Sequence, residues 1–276
     1  MCESCGRLVD VRESRCPFCG RPRPGLFGFS TALRRLGLDF DRVLIGLAVA
    51  VYLLTLAADP SAIGLGGRGF LSFLAPANVE LFRFGASGAI PVFRFGRWWT
   101  VLSAGWLHGG LLHILFNMLW LRQLAPAVSR LYGAARMVIV YTVASICGFA
   151  LSSFVGAYLV FLPGFLRGAG FTVGASAAIF GLLGALVWYG RRGGSSALGR
   201  QAWTWAIALF AFGFIFPGVD NWAHLGGYLG GYLTARMLDP LRDETSGHIV
   251  LAALCLLASV AAVVVSAITA GPLLAQ

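Results

Sequence analysis

Three groups of polar residues lie within otherwise apolar stretches, and their side chains are of the kinds that enzymes use for nucleophilic catalysis. His108, His113 and Asn117 form the first group, and the i, i+4 spacing of His113 and Asn117 places both on one helix face. Ser176 forms the second group and His224 the third. If the helices that carry Ser176 and His224 meet, His224 can act as a general base for the hydroxyl.

Small residues accompany two of these groups. Gly174 opens the second stretch, and Gly227 and Gly231 form a GxxxG face just below His224, which lets two helix backbones approach closely. Asp220 stands four residues before His224, so a triad in which a carboxylate orients the base is conceivable. Each group alone has an ordinary explanation in packing or interhelical hydrogen bonding. Their clustering in one chain favours a functional site.

The composition predicts an all-α membrane protein. Of 276 residues, 58% are hydrophobic and only 12% are charged, which is more apolar surface than one soluble core can bury. Seven apolar runs approach the length needed to cross a bilayer as helices. They lie near residues 43–58, 109–128, 135–162, 174–190, 202–217, 221–238 and 248–270. The first run begins only at Val43, so we expect a retained anchor and not a cleaved signal peptide.

The basic residues predict the orientation. The net charge of +10 comes from 21 basic residues, all of them arginine, against 11 acidic residues. With a cytosolic N-terminus, only five arginines fall in outer segments: Arg68, Arg83, Arg94, Arg97 and Arg167. This asymmetry follows the positive-inside rule and explains the charge without a nucleic-acid partner. We expect a multi-pass protein of a prokaryotic inner membrane, with the C-terminus outside.

A separate motif precedes the first span. Cys2, Cys5, Cys16 and Cys19 form two CxxC pairs, a spacing typical of a structural zinc site. Two disulfides are the alternative, which a reducing cytosol disfavours. The sequence therefore predicts a cytosolic zinc-ribbon knuckle over residues 1–25 and a linker over residues 26–42. A cytosolic protein is a candidate partner of the knuckle.

Together, the HxxxxHxxxN element, the GxSx helix and the later AHxxGxxxG helix resemble the rhomboid family of intramembrane serine proteases. The resemblance runs from about Phe95 to Leu238. It implies a six-helix catalytic core over residues 43–240, to which residues 241–276 add one C-terminal transmembrane helix. It also implies a water-filled cavity open to the outer face, and membrane-protein substrates cut within or near their transmembrane helices.

The resemblance also implies the role of each site residue. Ser176 is the expected nucleophile and His224 its base in a dyad, without a catalytic cofactor. Asn117 and His113 are the expected oxyanion donors, together with the Ser176 amide. Five further residues are expected to support the site: His108, Gly174, Phe180, Gly227 and Gly231.

Four positions depart from the family pattern. The chain has Ala177 in place of glycine, Thr100 in place of arginine, Phe180 in place of tyrosine and Ser129 in place of glutamate. These departures motivate an alternative, a rhomboid-like pseudoprotease that binds membrane-protein clients without cleaving them. A transporter or haem protein is less consistent with the sequence, which shows neither an internal repeat nor facing histidine pairs.

Overall fold

The computed structural model describes residues 2, 7, 9–10, 13–20, 40–59, 74–193, 195–216, 218–241 and 244–274. Its contacts divide the chain into two compact units, residues 1–44 and residues 45–276. Cys5, most of the predicted linker and residues 60–73 lie outside the described residues.

The described part of the chain is helical, which confirms the predicted class. Its long helices are α1 (Phe40–Ala58), α4 (Leu111–Tyr132), α5 (Ala134–Tyr158), α6 (Ser176–Arg191), α7 (Ser196–Ile215), α8 (Asn221–Met237) and α9 (Ser246–Leu274). Each of the seven predicted apolar runs overlaps one of them. In the described residues, α4, α5 and α9 are long and apolar enough to cross a membrane, while α1 and α6 are apolar but shorter. The protein is therefore a multi-pass membrane protein.

Short elements fill the segment between α1 and α4. They are α2 (Asn78–Phe84), a π-helical turn (Ile90–Arg94), α3 (Thr100–Ser103) and a 3₁₀ turn (Ala104–Trp106). We call residues 74–110 the α1–α4 connection. Its outer surface carries exposed apolar side chains such as Phe93 and Trp98, whereas Arg97 is only 1% exposed.

Helix α5 lies at the centre of the second unit. In the most apolar stretch of α5, 67% of the residues are buried, against 33% for α4 and 22% for α9. Small residues let its neighbours approach, since a Cβ built on Gly148 would lie 2.5 Å from the Ala223 carbonyl oxygen on α8. Lipid is as apolar as the helix surfaces, so close van der Waals packing of this kind is what favours association.

The turn between α8 and α9 is fastened to the start of α5. Glu244 accepts a hydrogen bond from the backbone N–H of Arg136 at 3.0 Å, in the first turn of α5. The Arg136 guanidinium donates in turn to the carbonyl oxygens of Leu238 at 2.9 Å and Asp239 at 3.0 Å. These bonds satisfy helix-end groups that would otherwise be unpaired.

The contact between α6 and α8 yields a stability prediction. A Cβ at Gly231 would collide with the Cα and the carbonyl group of Gly181, and these backbone atoms cannot move without a shift of the helix. We expect Gly231→Ala to lower the free energy of unfolding in detergent by about 1–3 kcal/mol. Gly46→Ala is the matched control, because no atom lies within 4 Å of a Cβ there. Equal stabilities for the two variants would contradict the close approach.

Candidate active site

The backbone before Ser176 is held in a conformation that favours glycine. Gly174 has a φ of +127°, and its N–H donates to the carbonyl oxygen of Ala104 at 3.0 Å. Ser176 then begins α6, and the first backbone bond of the helix runs from Ile179 N–H to the Ala175 carbonyl oxygen at 3.0 Å. The N–H of Ser176 precedes this bond, so it has no acceptor within its own helix.

His224 lies against the Ser176 hydroxyl. The distance from His224 Nε2 to Ser176 Oγ is 3.0 Å, and the imidazole is only 6% exposed. Phe180, one turn along α6, stacks on the imidazole with ring centroids 4.2 Å apart and planes at 15°. The ring is thus fixed between a hydroxyl and an aromatic face, with a nitrogen within reach of the hydroxyl proton. This is the geometry of a nucleophile and its base.

Close packing around Ala177 sets that distance. A Cβ on Gly227 of α8 would strike the Ala177 carbonyl group, so the two helix backbones touch directly after the serine. The Ala177 methyl group itself faces Gly148 of α5, where a Cβ would lie 2.7 Å from it. The glycine on α5 therefore makes room for the methyl group by which Ala177 departs from the family pattern.

Asp220 does not orient His224 as a triad would require. Its carboxylate accepts hydrogen bonds from Ser152 Oγ at 2.6 Å and from Ala223 N–H at 3.0 Å, which caps the start of α8. Within the described residues, His224 Nδ1 has no hydrogen-bond partner. The geometry therefore contains a serine–histidine pair whose base is held by ring stacking and helix packing.

His113 and Asn117 lie on the neighbouring helix α4. The N–H of Gly109 donates to His113 Nδ1 at 3.3 Å, so a neutral His113 carries its proton on Nε2. Nε2 faces Gly174, because a Cβ there would lie 2.6 Å from it. Asn117 is 3% exposed and uses one amide hydrogen on the His113 carbonyl oxygen at 2.8 Å, which leaves its second amide hydrogen for another acceptor. His108 contacts the His113 ring edge-on at 5.2 Å.

Aromatic side chains bridge α4 and α7 beside this site. Phe116, next to Asn117 in sequence, stacks on Phe212 with centroids 6.1 Å apart and planes at 16°. Trp120 meets Trp205 edge-on at 5.4 Å one turn further along α4. Phe116 and Phe212 are partly exposed, so these rings form an apolar seam at the surface of the helix bundle.

A cysteine cluster occupies the first unit. The Sγ atoms of Cys2, Cys16 and Cys19 lie within 4.8 Å of one another, and those of Cys2 and Cys19 are 3.6 Å apart. Four sulfur ligands at about 2.3 Å from a zinc ion lie about 3.8 Å apart. The three described cysteines could therefore bind a metal, and Cys5, the fourth predicted ligand, lies outside the described residues.

Two polar residues of structural interest are not identified by sequence reasoning. The charge pattern groups Arg97 with the arginines of outer segments, yet the structure buries it. Ser152 has no sequence signal as the partner of Asp220, because serine is common in membrane helices.

Comparisons with known proteins identify the family of the chain. The protein family described as "Rhomboid domain" matches residues 95–240, which are more than half of the chain. Similar proteins include Rhomboid protease GluP of Bacillus subtilis (strain 168), 35% identical over 166 residues, which are 59% of this chain and 30% of GluP. RHOMBOID-like protein 4 of Arabidopsis thaliana is 32% identical over 169 residues, 60% of this chain and 40% of that protein. The chain belongs to the rhomboid family. It spans less than half the length of these two relatives.

Gly174 provides a test of the contact between α4 and the start of α6. We expect Gly174→Ala to slow the labelling of Ser176 by a fluorophosphonate by about tenfold or more, because a methyl group there both strains φ and displaces His113. Gly170→Ala is the matched control in the same segment, since its Cβ would meet only Ile90 at 3.5 Å. Normal labelling of the Gly174 variant would show that His113 is not held against this backbone.

Proposed function

We propose that the protein is an intramembrane serine endopeptidase that hydrolyses peptide bonds in or near transmembrane helices of membrane-protein substrates. The observation that carries this proposal is the 3.0 Å distance between His224 Nε2 and Ser176 Oγ at the start of a helix. Membership of the rhomboid family supports it, because GluP bears the name of a rhomboid protease.

The proposed reaction proceeds in two stages. As Ser176 Oγ attacks the carbonyl carbon of the substrate, His224 Nε2 takes its proton, and the same nitrogen then protonates the leaving amine. Water hydrolyses the resulting acyl-enzyme, with His224 as base once more. Phe180 keeps the imidazole in one orientation through both stages, since its ring lies almost parallel to that of His224.

The oxyanion formed in each stage requires donors close to Ser176. The Ser176 N–H has no acceptor in its own helix, His113 carries its proton on Nε2 beside Gly174, and Asn117 has a second amide hydrogen. We propose that these three donors, from two helices, stabilise the oxyanion together. Fixed donors of this kind stabilise the transition state without the reorganisation that water needs.

The aromatic seam between α4 and α7 bears on how a helical substrate reaches the proposed active site. Phe116 contacts Phe212 and Trp120 contacts Trp205 through their rings. In the proposed mechanism, a substrate helix approaches Asn117 from the bilayer between α4 and α7, where these rings move aside. In the proposed arrangement, α1 and α4–α8 form the six-helix core and α9 a seventh span. In that arrangement the N-terminus is cytosolic, as the arginine distribution indicates, and the active site opens to the outer face, as the resemblance to the rhomboid family implies.

The dyad can be tested directly. We expect Ser176→Ala and His224→Ala each to slow cleavage of a single-span reporter by about a hundredfold or more, and the double variant to be no slower than the slower single variant. Ser196→Ala, at an exposed serine, is the control. A native protein that captures the reporter but neither cleaves it nor reacts with a fluorophosphonate would instead support the pseudoprotease alternative.

For the first unit we propose a structural zinc ion held by Cys2, Cys5, Cys16 and Cys19. Four thiolates fill a tetrahedral shell and leave no position for a catalytic water. A knuckle of about twenty residues has too few apolar side chains for a core and depends on its metal to fold. It is free to bind a cytosolic partner, because it takes no part in the proposed chemistry.

Replacing these four cysteines by serine should remove one equivalent of zinc per chain, as measured by elemental analysis. Labelling of Ser176 should continue at its native rate, also when a chelator is added to the native protein. Cys255→Ser is the control and should retain the zinc. If the chelator stopped labelling as promptly as a serine inhibitor, the metal would be coupled to the active site.

A further inference from the structure

Helix α9 is bonded to the α1–α4 connection through a buried arginine. Arg97, 1% exposed, donates from Nη2 to the Ser266 carbonyl oxygen in α9 at 2.8 Å and from Nη1 to the Phe82 carbonyl oxygen at 2.6 Å. The two acceptors come from segments far apart in sequence. One guanidinium group therefore joins the last helix of the chain to a segment that precedes the site.

The positive charge of Arg97 is stabilised by hydrogen bonds to carbonyl oxygens. Among the residues that the structure describes, no carboxylate forms an ion pair with it. Phe82 lies in the last turn of α2, where carbonyl oxygens carry partial negative charge, and its ring lies 4.3 Å from the guanidinium carbon. Because a buried charge without acceptors is costly, removal of the Ser266 acceptor would destabilise this position of the arginine.

Two further contacts fix α9 at the same place. Trp99 Nε1 donates to Ser266 Oγ at 3.0 Å, and Ser266 is fully buried. Gly85, with a φ of +106°, lies directly under that hydroxyl, where a Cβ would come within 2.6 Å of it. Backbone and side chains of the connection thus enclose Ser266 and leave no room for a larger residue.

The same connection holds the backbone that precedes the nucleophile. Ser103 Oγ donates to the Gly85 carbonyl oxygen at 2.7 Å, and the next residue, Ala104, accepts the hydrogen bond from Gly174 N–H at 3.0 Å. A second link is the antiparallel bridge between Ser87 and Thr172, with N–H to oxygen distances of 3.0 and 2.8 Å. The Gly85 N–H also donates to the Phe82 carbonyl oxygen at 3.2 Å, the same oxygen that accepts from Arg97. Hydrogen bonds, joined by one step along the chain from Ser103 to Ala104, therefore connect Ser266 to Gly174, two residues before Ser176.

We infer that α9 is a clamp that positions the active site, with Arg97 as its positioning residue. The clamp consists of Ser266, Arg97, Trp99 and Gly85. It holds the α1–α4 connection in the one position from which Ala104 and Ser87 fix the start of α6. The effect on catalysis rests on the proposed function, whereas the structural link does not depend on it. The connection thus contains a buried arginine at position 97, although Thr100 occupies the position where the family pattern has arginine.

Arg97→Met tests the clamp in the full chain. We expect the rate constant for fluorophosphonate labelling of Ser176, and kcat for a reporter, to fall between about tenfold and a hundredfold, because the nucleophile is misplaced. KM should change little, and Arg97→Lys should restore part of the loss. Arg94→Met, an exposed arginine three residues earlier, is the matched control. Labelling of the Arg97→Met protein at the native rate would overturn the inference.

The clamp can also be broken from α9. Ser266→Leu places a larger side chain against Gly85 and should cause a similar loss, whereas Val264→Leu, at an exposed position of α9, should not. The double variant Arg97→Met, Ser266→Leu should be no slower than the slower single variant, since both changes break the same interaction. Additive effects would mean that the two residues act separately. If neither variant folds, Trp99→Phe and Ser266→Ala remove the two ends of one hydrogen bond and must show the same non-additivity.

Hydrogen–deuterium exchange separates this inference from the proposed function. In the Arg97→Met protein, peptides that cover residues 170–178 should exchange about tenfold faster, because the Gly174 N–H bond opens more often. Peptides from α5 should be unchanged. A native protein that resists the fluorophosphonate would refute the proposed protease, while unchanged exchange at residues 170–178 would refute the clamp whatever the labelling result.

Discussion

The structure depends on the contact of two helix backbones without intervening side chains. Gly227 lies on the carbonyl group of Ala177, and Gly231 lies on Gly181, so α8 approaches α6 as closely as main-chain atoms permit. A serine hydroxyl extends only one bond beyond Cβ. Larger residues at these glycines would move His224 out of hydrogen-bond distance. In lipid, where apolar surfaces gain little by leaving the solvent, glycines that allow such contact also hold the bundle together.

Around this contact three polar side chains have defined hydrogen bonds. His224 Nε2 meets the hydroxyl, while His113 engages the Gly109 N–H through Nδ1 and presents Nε2 towards Gly174. Asp220, which could have served a triad, caps α8 and binds Ser152. Asp220 therefore stabilises the start of α8, the helix that carries His224, and affects the position of His224 through the backbone of that helix.

Three of the four departures from the family pattern, Ala177, Phe180 and Thr100, are accommodated by neighbouring residues. The methyl group of Ala177 faces Gly148, and Phe180 stacks on His224 without needing a hydroxyl. Thr100 donates to the Arg97 carbonyl oxygen at 2.7 Å, and Arg97 itself occupies the interior of the connection. None of these substitutions removes an atom that the proposed chemistry uses. Helix α9 is bonded to the same connection, because the Ser266 carbonyl oxygen accepts from Arg97.

The sequence by itself determined the helical class, because long apolar runs in a chain with few charges have one stable form in lipid. It also indicated which residues could react, since Ser176, His224 and Asn117 are polar where polarity is costly. Only the tertiary structure decided which of them meet, that Asp220 serves α8 and that Arg97 is buried against α9. Those outcomes depend on contacts between helices distant in the chain, and local spacing carries no information about such contacts.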